Sequence, residues 1–306
     1  MEFLTKTNFK LVDKTRYTFV LSALLILAGV ASLIVHGGPH LGIDFTGGTI
    51  LQVRILPAPD LAQVRDMLEG AGFAGVQVQD FGASDELLIT FANVDDGTLD
   101  AAEEMKAVLD EGLAGSTVEM RREESVGPKI GSELKTAAMN SVVAALVLIV
   151  LYITVRFVFR YGIAAIVALV HDVLITLGVF SLLDKEITLS IIAAFMTIIG
   201  YSLNDTIVVF DRIRENMKLR RRESYKDVIN RSINETLSRT IVTSVTTLFV
   251  AGALYVIGGA VIHDFAFALC FGVIIGTYSS IFIASPVLVW WNQRSITDPR
   301  RQRQTM

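Results

Sequence analysis

The chain has 306 residues, of which 52% are hydrophobic and only 19% are charged, and its mean hydropathy is +0.54. Soluble globular proteins average about a quarter charged residues, so this composition indicates a membrane protein. The net charge of −4 excludes little, because acidic and basic residues occupy different segments. The single cysteine, Cys270, excludes a disulfide within one chain and leaves the redox compartment open. No cysteine and histidine cluster has zinc-site spacing, so we expect no metal or other cofactor.

Six apolar stretches are each long enough to cross a bilayer, whose hydrocarbon core takes about 20 residues of helix. The first, residues 17–36, follows a basic tail, residues 1–16, as a signal peptide would. It is longer than the apolar core of a signal peptide and no clear cleavage site follows it, so we expect a retained anchor. The other five stretches cover about residues 134–155, 163–183, 187–210, 240–261 and 265–291.

Lysine and arginine residues predict the side of the membrane on which each connection lies. They concentrate in the N-terminal tail, between spans two and three, in a basic loop at residues 212–239 and in a tail at residues 292–306. With six spans, all four segments fall on one side. The charge bias and the even span count both predict a multi-pass protein of the inner or plasma membrane with cytoplasmic termini. The basic loop is interpreted either as an orientation signal that contacts membrane lipid or as a docking site for a cytoplasmic partner.

The segment between spans one and two, residues 37–133, then lies outside the cytoplasm. It has 18 acidic and 6 basic residues, which makes it a poor binder of nucleic acid. Its periodicity predicts strands at residues 49–56, 76–81, 87–91 and 117–121, helices at 60–70 and 99–113, and a turn at 83–85. The order βαββαβ is that of an α+β ferredoxin-like domain. This fold hosts many functions and decides none of them.

Four stretches of the sequence resemble the bacterial SecF family of protein-export membrane proteins. They are GIDFTGGT at residues 42–49, ESVGPKIG at 124–131, YSLNDTIVVFDR at 201–212 and NETLSRT at 234–240. Together with the span count and the position of the domain, the resemblance covers nearly the whole chain.

The resemblance implies half of a transporter of the RND superfamily, with SecD as its partner. Such a subunit would use the proton-motive force to assist preprotein translocation through, and release from, the SecYEG translocon. An RND-like half-transporter for a small molecule or lipid and an assembly factor without transport remain alternatives. The chain has no serine–lysine dyad and no His-Glu-x-x-His motif, so we expect no enzymatic activity.

Two charged residues fall within predicted spans. Asp205 lies at the cytoplasmic end of span four, and Arg239 lies at the start of span five. A charge inside a bilayer costs a few kcal/mol on insertion scales, so it is normally paired or functional. Asn204, Thr206 and Ser202 add polar groups beside Asp205. The pair is either a static salt bridge or a site where movement of the arginine controls proton binding, and the resemblance places proton-transport residues at Asp205 and Arg239.

His171 and Asp172 lie near the middle of span three. A proton relay, a packing role and a contact with SecD remain open for this dipeptide. The run at residues 42–49 lacks the Gly-Lys-Ser/Thr of a phosphate-binding loop. We interpret its Gly47 and Gly48 as a structural joint into the first strand, with a matching hinge at residues 127–128, which are Gly127 and Pro128.

Overall fold

The computed structural model describes residues 7–73, 75–92, 100–113, 115–220 and 222–297. In chain order its elements are α1 (Thr15–Val35), α2 (Ile43–Thr46), β1 (Gly48–Leu56), α3 (Leu61–Gly70), β2 (Gln77–Phe81), β3 (Ala83–Phe91), α4 (Asp100–Gly112), β4 (Thr117–Val126), α5 (Pro128–Arg156), α6 (Phe159–Leu182), α7 (Leu189–Leu219), α8 (Tyr225–Ile257), α9 (Ala260–Ser279) and α10 (Ser285–Thr297). They form two compact units. The helical unit comprises Met1–His40, Val142–Lys185 and Ser190–Met306, and the sheet unit comprises Leu41–Ser141 and Glu186–Leu189.

Six helices among the described residues are long and apolar enough to cross a membrane, which confirms the predicted number of spans. They are Val12–Val35, Pro128–Arg156, Phe159–Leu182, Leu189–Leu219, Tyr225–Ile257 and Ala260–Asn292. The last is continuous because a turn of π-helix at Ser280–Ala284 joins α9 to α10. Residues 1–6 and 298–306, the outer parts of the two predicted tails, lie outside the described residues.

The prediction of a basic loop at residues 212–239 is wrong in its structure. Helix α7 continues to Leu219 and α8 begins at Tyr225, so only residues 220–224 separate them. Charged side chains with good helix propensity extend both helices. Ser224 begins α8 as an N-cap, because its Oγ accepts a hydrogen bond from the backbone N–H of Asp227 at 3.2 Å. Likewise, only Gly258 and Gly259 separate α8 from α9.

The interior of the helical unit is built from α6, α7 and α9, because half or more of the residues in their apolar stretches are buried. Few residues of α1, α5 and α8 are buried, so these helices surround the interior. Its largest fully buried side chains include Ile153, Phe180 and Phe210. Tyr161 packs edge-on against Phe210 with ring centroids 5.2 Å apart. The functional side chains described below lie among these helices.

The sheet unit has four antiparallel strands in the order β2-β3-β1-β4, which confirms the ferredoxin-like arrangement. Alternate residues of β1 face the core, and Leu51, Val53 and Ile55 are fully buried. Helices α3 and α4 cover this face with further buried side chains, namely Val64, Leu68, Met105 and Leu109. The predicted strands and helices therefore form two layers, a sheet and a layer of helices packed on one of its faces.

Two boundaries in the sheet unit differ from the predicted ones. The predicted turn at residues 83–85 is wrong, because the chain turns at Gly82 and β3 begins at Ala83. Side chains of β1 hold this end of β3, since Arg54 Nε donates to Asp85 Oδ2 at 2.8 Å. Strand β4 continues beyond residue 121 to Val126, because it pairs with β1 along its whole length. Leu99, the first residue of the second predicted helix, lies outside the described residues.

Candidate functional site

Asp205 is buried in α7, with 2% of its surface exposed. Ser202 and Thr206 lie on the same buried face, as residues three before and one after it on the helix, and both are buried. Asn204 is exposed, so it does not join Asp205 in the interior as the sequence suggested. The difference follows from helical geometry, because Ser202 and Thr206 lie about 40° apart around the axis, whereas Asn204 lies about 200° from Ser202, on the opposite side.

Helix α8 supplies the hydroxyl groups nearest to the Asp205 carboxyl group. Ser244 Oγ lies 3.5 Å from Asp205 Oδ2, whereas the Thr243 hydroxyl donates to the backbone carbonyls of Arg239 and Thr240. Ser244 has one hydrogen and two closer acceptors, the carbonyl oxygen of Thr240 at 2.8 Å and Oγ1 of Thr277 at 2.6 Å. Within the described residues, Asp205 is therefore poorly supplied with donors that would stabilise a negative charge.

Arg239 lies one helical turn before Thr243 on α8, and Thr243 Oγ1 donates to its backbone carbonyl at 3.0 Å. The Arg239 side chain is exposed on this chain. The described residues include no ion pair between Asp205 and Arg239 within 4.0 Å. The static salt bridge considered from the sequence is not formed in this arrangement, in which Asp205 is buried and Arg239 is exposed.

Asp172 is a second buried carboxyl group, with none of its surface exposed. His171 Nδ1 lies 2.9 Å from Oδ1, while Ser202 Oγ at 2.5 Å and Ser279 Oγ at 2.8 Å donate to Oδ2. These partners come from α6, α7 and α9. A role for Asp172 in contacting SecD is excluded by its complete burial within this chain, so a packing role and a proton relay remain. The sequence did not indicate Ser279 as a partner.

The predicted joint residues lie side by side in the sheet unit. Gly47 has φ of +74°, and a Cβ atom built on it would lie 2.9 Å from Pro128 Cα. Only glycine tolerates both that backbone conformation and this close approach. Gly48 pairs with Val126, the last residue of β4, and Gly127 then leads into Pro128, the first residue of α5. Hinge motion at these four residues stays a prediction.

Three residues of the resembling stretches have structural contacts that the sequence did not reveal. Asp44 Oδ2 accepts a hydrogen bond at 2.8 Å from the backbone N–H of Leu189, the first residue of α7. Asn234 Oδ1 accepts from the backbone N–H of Phe9 at 2.8 Å, and its Nδ2 donates to the Phe9 carbonyl at 2.9 Å. Glu235 Oε2 accepts from Arg212 Nε at 2.5 Å. These side chains hold backbone and helix ends in place.

Comparison with known proteins gives matches along most of the chain. A family model described as Protein export membrane protein SecD/SecF, C-terminal, matches residues 107–294, and one described as SecD/SecF GG Motif matches residues 32–55. Protein translocase subunit SecF of Magnetococcus marinus is 46% identical over 292 residues, which cover 94% of this chain and 93% of that protein. The SecF subunit of Desulfurispirillum indicum is 44% identical over 286 residues, which cover 92% and 90% of the two chains.

The crystal structure of SecDF from Thermus thermophilus, described as a translocon-associated membrane protein, has the same fold. It matches with a TM-score of 0.86 and 38% sequence identity over 95% of this chain. This chain spans 40% of the length of that protein, whereas it spans about nine-tenths of the two SecF subunits. The match of a family model to more than half of the chain, together with the identity to the SecF subunits, shows that the chain belongs to the SecF family of protein-export membrane proteins.

Proposed function

We propose that this chain is the SecF subunit of the Sec protein-export machinery and that it works with SecD beside the SecYEG translocon. The SecF relatives match it along most of their length, and the longer SecDF protein contains it as 40% of one chain. The remainder of SecDF would correspond to SecD, which supports SecD as the proposed partner. Exposed apolar residues on α5 and α8, among them Leu148 and Phe249, give surface for lipid and for that partner.

We further propose that the termini are cytoplasmic and that the sheet unit is extracytoplasmic in the inner membrane. The positive charges support this orientation, because Arg156, Arg160 and the arginines between α7 and α8 follow or precede spans on one side. In this orientation the basic residues between α7 and α8 contact anionic lipid. The acidic sheet unit would face a preprotein emerging from the translocon or the outer domain of SecD.

The proposed driving reaction is proton binding and release at Asp205, controlled by Arg239. The observation that carries it is the buried Asp205 carboxyl group with few donors, beside an arginine that does not pair with it. Movement of the guanidinium group towards the carboxylate stabilises its charge and releases the proton. Movement away favours binding. One charge that crosses 100 mV is worth about 2.3 kcal/mol, which is enough to bias a two-state rearrangement.

Within this proposal, Ser202 and Thr206 line the same buried face as Asp205, and Asn204 lies on the exposed side of α7. An amide on that side is available to SecD or to water rather than to the Asp205 carboxyl group. Gly47, Gly48, Gly127 and Pro128 are proposed to flex as α5 moves.

The test replaces Asp205 by Asn in the complex with SecD, reconstituted in vesicles with SecYEG. Preprotein export and proton flux are measured together, and both should fall to the level seen without a proton gradient. Asp211→Asn is the matched control, because Asp211 lies on the same helix but is only half-buried and pairs with Arg156 at 3.2 Å. Export and flux that persist in Asp205→Asn would show that the proposed mechanism is wrong.

A further inference from the structure

Helices α1 and α6 pack in parallel with a constant register in the helical unit. Three layers of contact pair residues 149 apart in sequence: Ser22 with His171, Gly29 with Gly178, and Ser32 with Ser181. In the middle layer, a Cβ built on Gly29 would lie 2.6 Å from Gly178 Cα, so the two backbones touch. The outer layers are hydrogen bonds of 2.9 Å and 2.8 Å. Helix α1 is therefore attached to α6 partly through an ionisable residue.

A chain of hydrogen bonds leads from this ionisable residue back to α1. The Tyr278 hydroxyl donates to the backbone carbonyl of Thr18 at 2.7 Å, and a carbonyl can only accept. The Tyr278 hydrogen is thus used, so its 3.1 Å contact with Ser22 Oγ requires the Ser22 hydrogen. Ser22 Oγ then has only lone pairs to offer to His171 Nε2 at 2.9 Å. The count of donors therefore assigns a hydrogen to Nε2.

The other ring nitrogen gives a second assignment. His171 Nδ1 lies 2.9 Å from Asp172 Oδ1, and this contact also needs one hydrogen, which lies on the nitrogen or on the oxygen. Oδ2 of Asp172 accepts from two serines and supplies no hydrogen. In either form, His171 and Asp172 together hold one proton more than a neutral imidazole and an ionised carboxylate. The pair is then electrically neutral, as a site in the membrane interior favours.

We propose that His171 and Asp172 form a second proton-binding site, separate from Asp205, and that its proton fastens α1 to α6 and α9. When the proton leaves to water, the neutral imidazole with hydrogen on Nδ1 offers Nε2 as an acceptor. Ser22 then turns its hydrogen towards Nε2, and the contact between Ser22 and Tyr278 loses the hydrogen that it needs. Helix α1 keeps its bond to α6 and loses one to α9, so proton release loosens α1 selectively.

The groups that face the pair come from every helix packed against it. They are Ser22 from α1, Ser202 from α7, and Tyr278 and Ser279 from α9, and Tyr278 also stacks on the His171 ring with centroids 5.9 Å apart. Tyr278 is the titratable member of this set. In the described part of the chain, no lysine or arginine lies within 4.0 Å of Asp172 as an ion pair. The proton therefore takes the place of a basic side chain in neutralising the carboxylate.

The inference depends on the proposed function only for its role in transport, because the protonation can be measured without transport. The full chain is labelled with nitrogen-15 histidine in lipid, and the three other histidines are replaced by Gln: His36, His40 and His263. Solid-state NMR at pH 7 should show hydrogen on Nε2 of His171. The second proton should be seen either on Nδ1 or as a carboxylic-acid C=O band of Asp172 in the infrared. A bare Nε2, or a bare Nδ1 without that band, would overturn the proposal.

Tyr278→Phe separates proton binding from simple packing. Without the phenol oxygen, the Ser22 hydrogen is free to bond Nε2 of a neutral ring, so the proton is held less tightly. We expect the ratio of protonated to deprotonated His171 to fall about fivefold at a pH where both are populated, which corresponds to about 1 kcal/mol. Tyr255→Phe is the control, because Tyr255 stacks on His263 and not on His171. An unchanged ratio in Tyr278→Phe would refute the assigned hydrogen-bond chain, whatever the outcome for Asp205→Asn.

Discussion

The packing of α1 on α6 is tested most directly by adding a single methyl group where the two backbones touch. In Gly178→Ala, the new Cβ would lie 2.7 Å from Gly29 Cα, whereas ordinary van der Waals contact begins at 3.4 Å. The two helices must therefore separate by about 1 Å. That movement stretches the hydrogen bonds of the neighbouring layers, His171 to Ser22 at 2.9 Å and Ser181 to Ser32 at 2.8 Å, beyond hydrogen-bonding distance.

The magnitude follows from these two bonds. Hydrogen bonds between membrane helices average about 0.6 kcal/mol and reach about 1.7 kcal/mol, so the loss of two costs about 1 to 3 kcal/mol. Alanine also favours the helix over glycine by up to about 1 kcal/mol, which opposes the loss. The control Gly252→Ala has the same propensity change in α8, and a Cβ there meets no atom within 4 Å. The difference between the two variants therefore isolates the helix contact.

The assay is reversible unfolding of the full chain in mixed micelles with increasing denaturing detergent. The free energy of unfolding should be about 1 to 3 kcal/mol lower in Gly178→Ala than in Gly252→Ala. A disulfide between Ser32→Cys and Ser181→Cys, in a chain with Cys270→Ala, reports the same contact directly and should form more slowly with Gly178→Ala. Equal stabilities and equal cross-linking rates would refute the close packing of α1 on α6.

Two further predictions concern other parts of the chain. The Arg54 guanidinium group, which bonds Asp85 at 2.8 Å, lowers the pKa of that carboxyl group below its usual 3.8. The pair therefore stabilises the sheet unit at pH above the ordinary aspartate pKa, and this contribution is lost as pH falls through the lower, folded pKa. Asp85→Asn should remove that part of the acid sensitivity. The measurement is unfolding of the sheet unit between pH 5 and 2, about the range over which aspartate titrates. An unchanged acid profile would contradict the pairing. Asn234→Ala removes both side-chain hydrogen bonds to the backbone of Phe9 and should speed proteolysis next to Phe9. The control Asn204→Ala changes an exposed residue and should not. Equal cleavage rates would show that these two bonds do not hold the segment at Phe9.

The features that could be predicted from the sequence are those set by local patterns. Apolar length indicated six spans, and alternation in β1 indicated which residues face the core of the sheet. The start of β3 could not be predicted in this way, because Ala83 to Asp85 have poor strand propensity. Pairing with β1 and the bond from Arg54 outweigh that propensity, and both depend on a distant strand.

In the candidate site too, local sequence patterns predicted some features and not others. A carboxylate in an apolar stretch identifies Asp205 by itself, because its cost in the membrane demands an explanation. The exposed position of Arg239 could not be predicted, since it depends on which face of α8 packs against α7. The partners of His171 include Ser22 on α1, which precedes it by 149 residues, and Tyr278 on α9, which lies far after it in sequence. No local pattern joins these residues, so only helix packing reveals them.

The two buried carboxyl groups differ in what surrounds them, and α7 connects them. Asp172 has three side-chain partners, whereas Asp205 has a long contact of 3.5 Å with Ser244 of α8. Ser202 belongs to the same helical turn as Asp205, about 4.5 Å away along the axis, and it donates to Asp172. In the proposed mechanism, a shift of this turn on proton binding at Asp205 would change the distance between Ser202 and Asp172. Because such coupling is reciprocal, we expect the charge of each carboxyl group to change the proton affinity of the other.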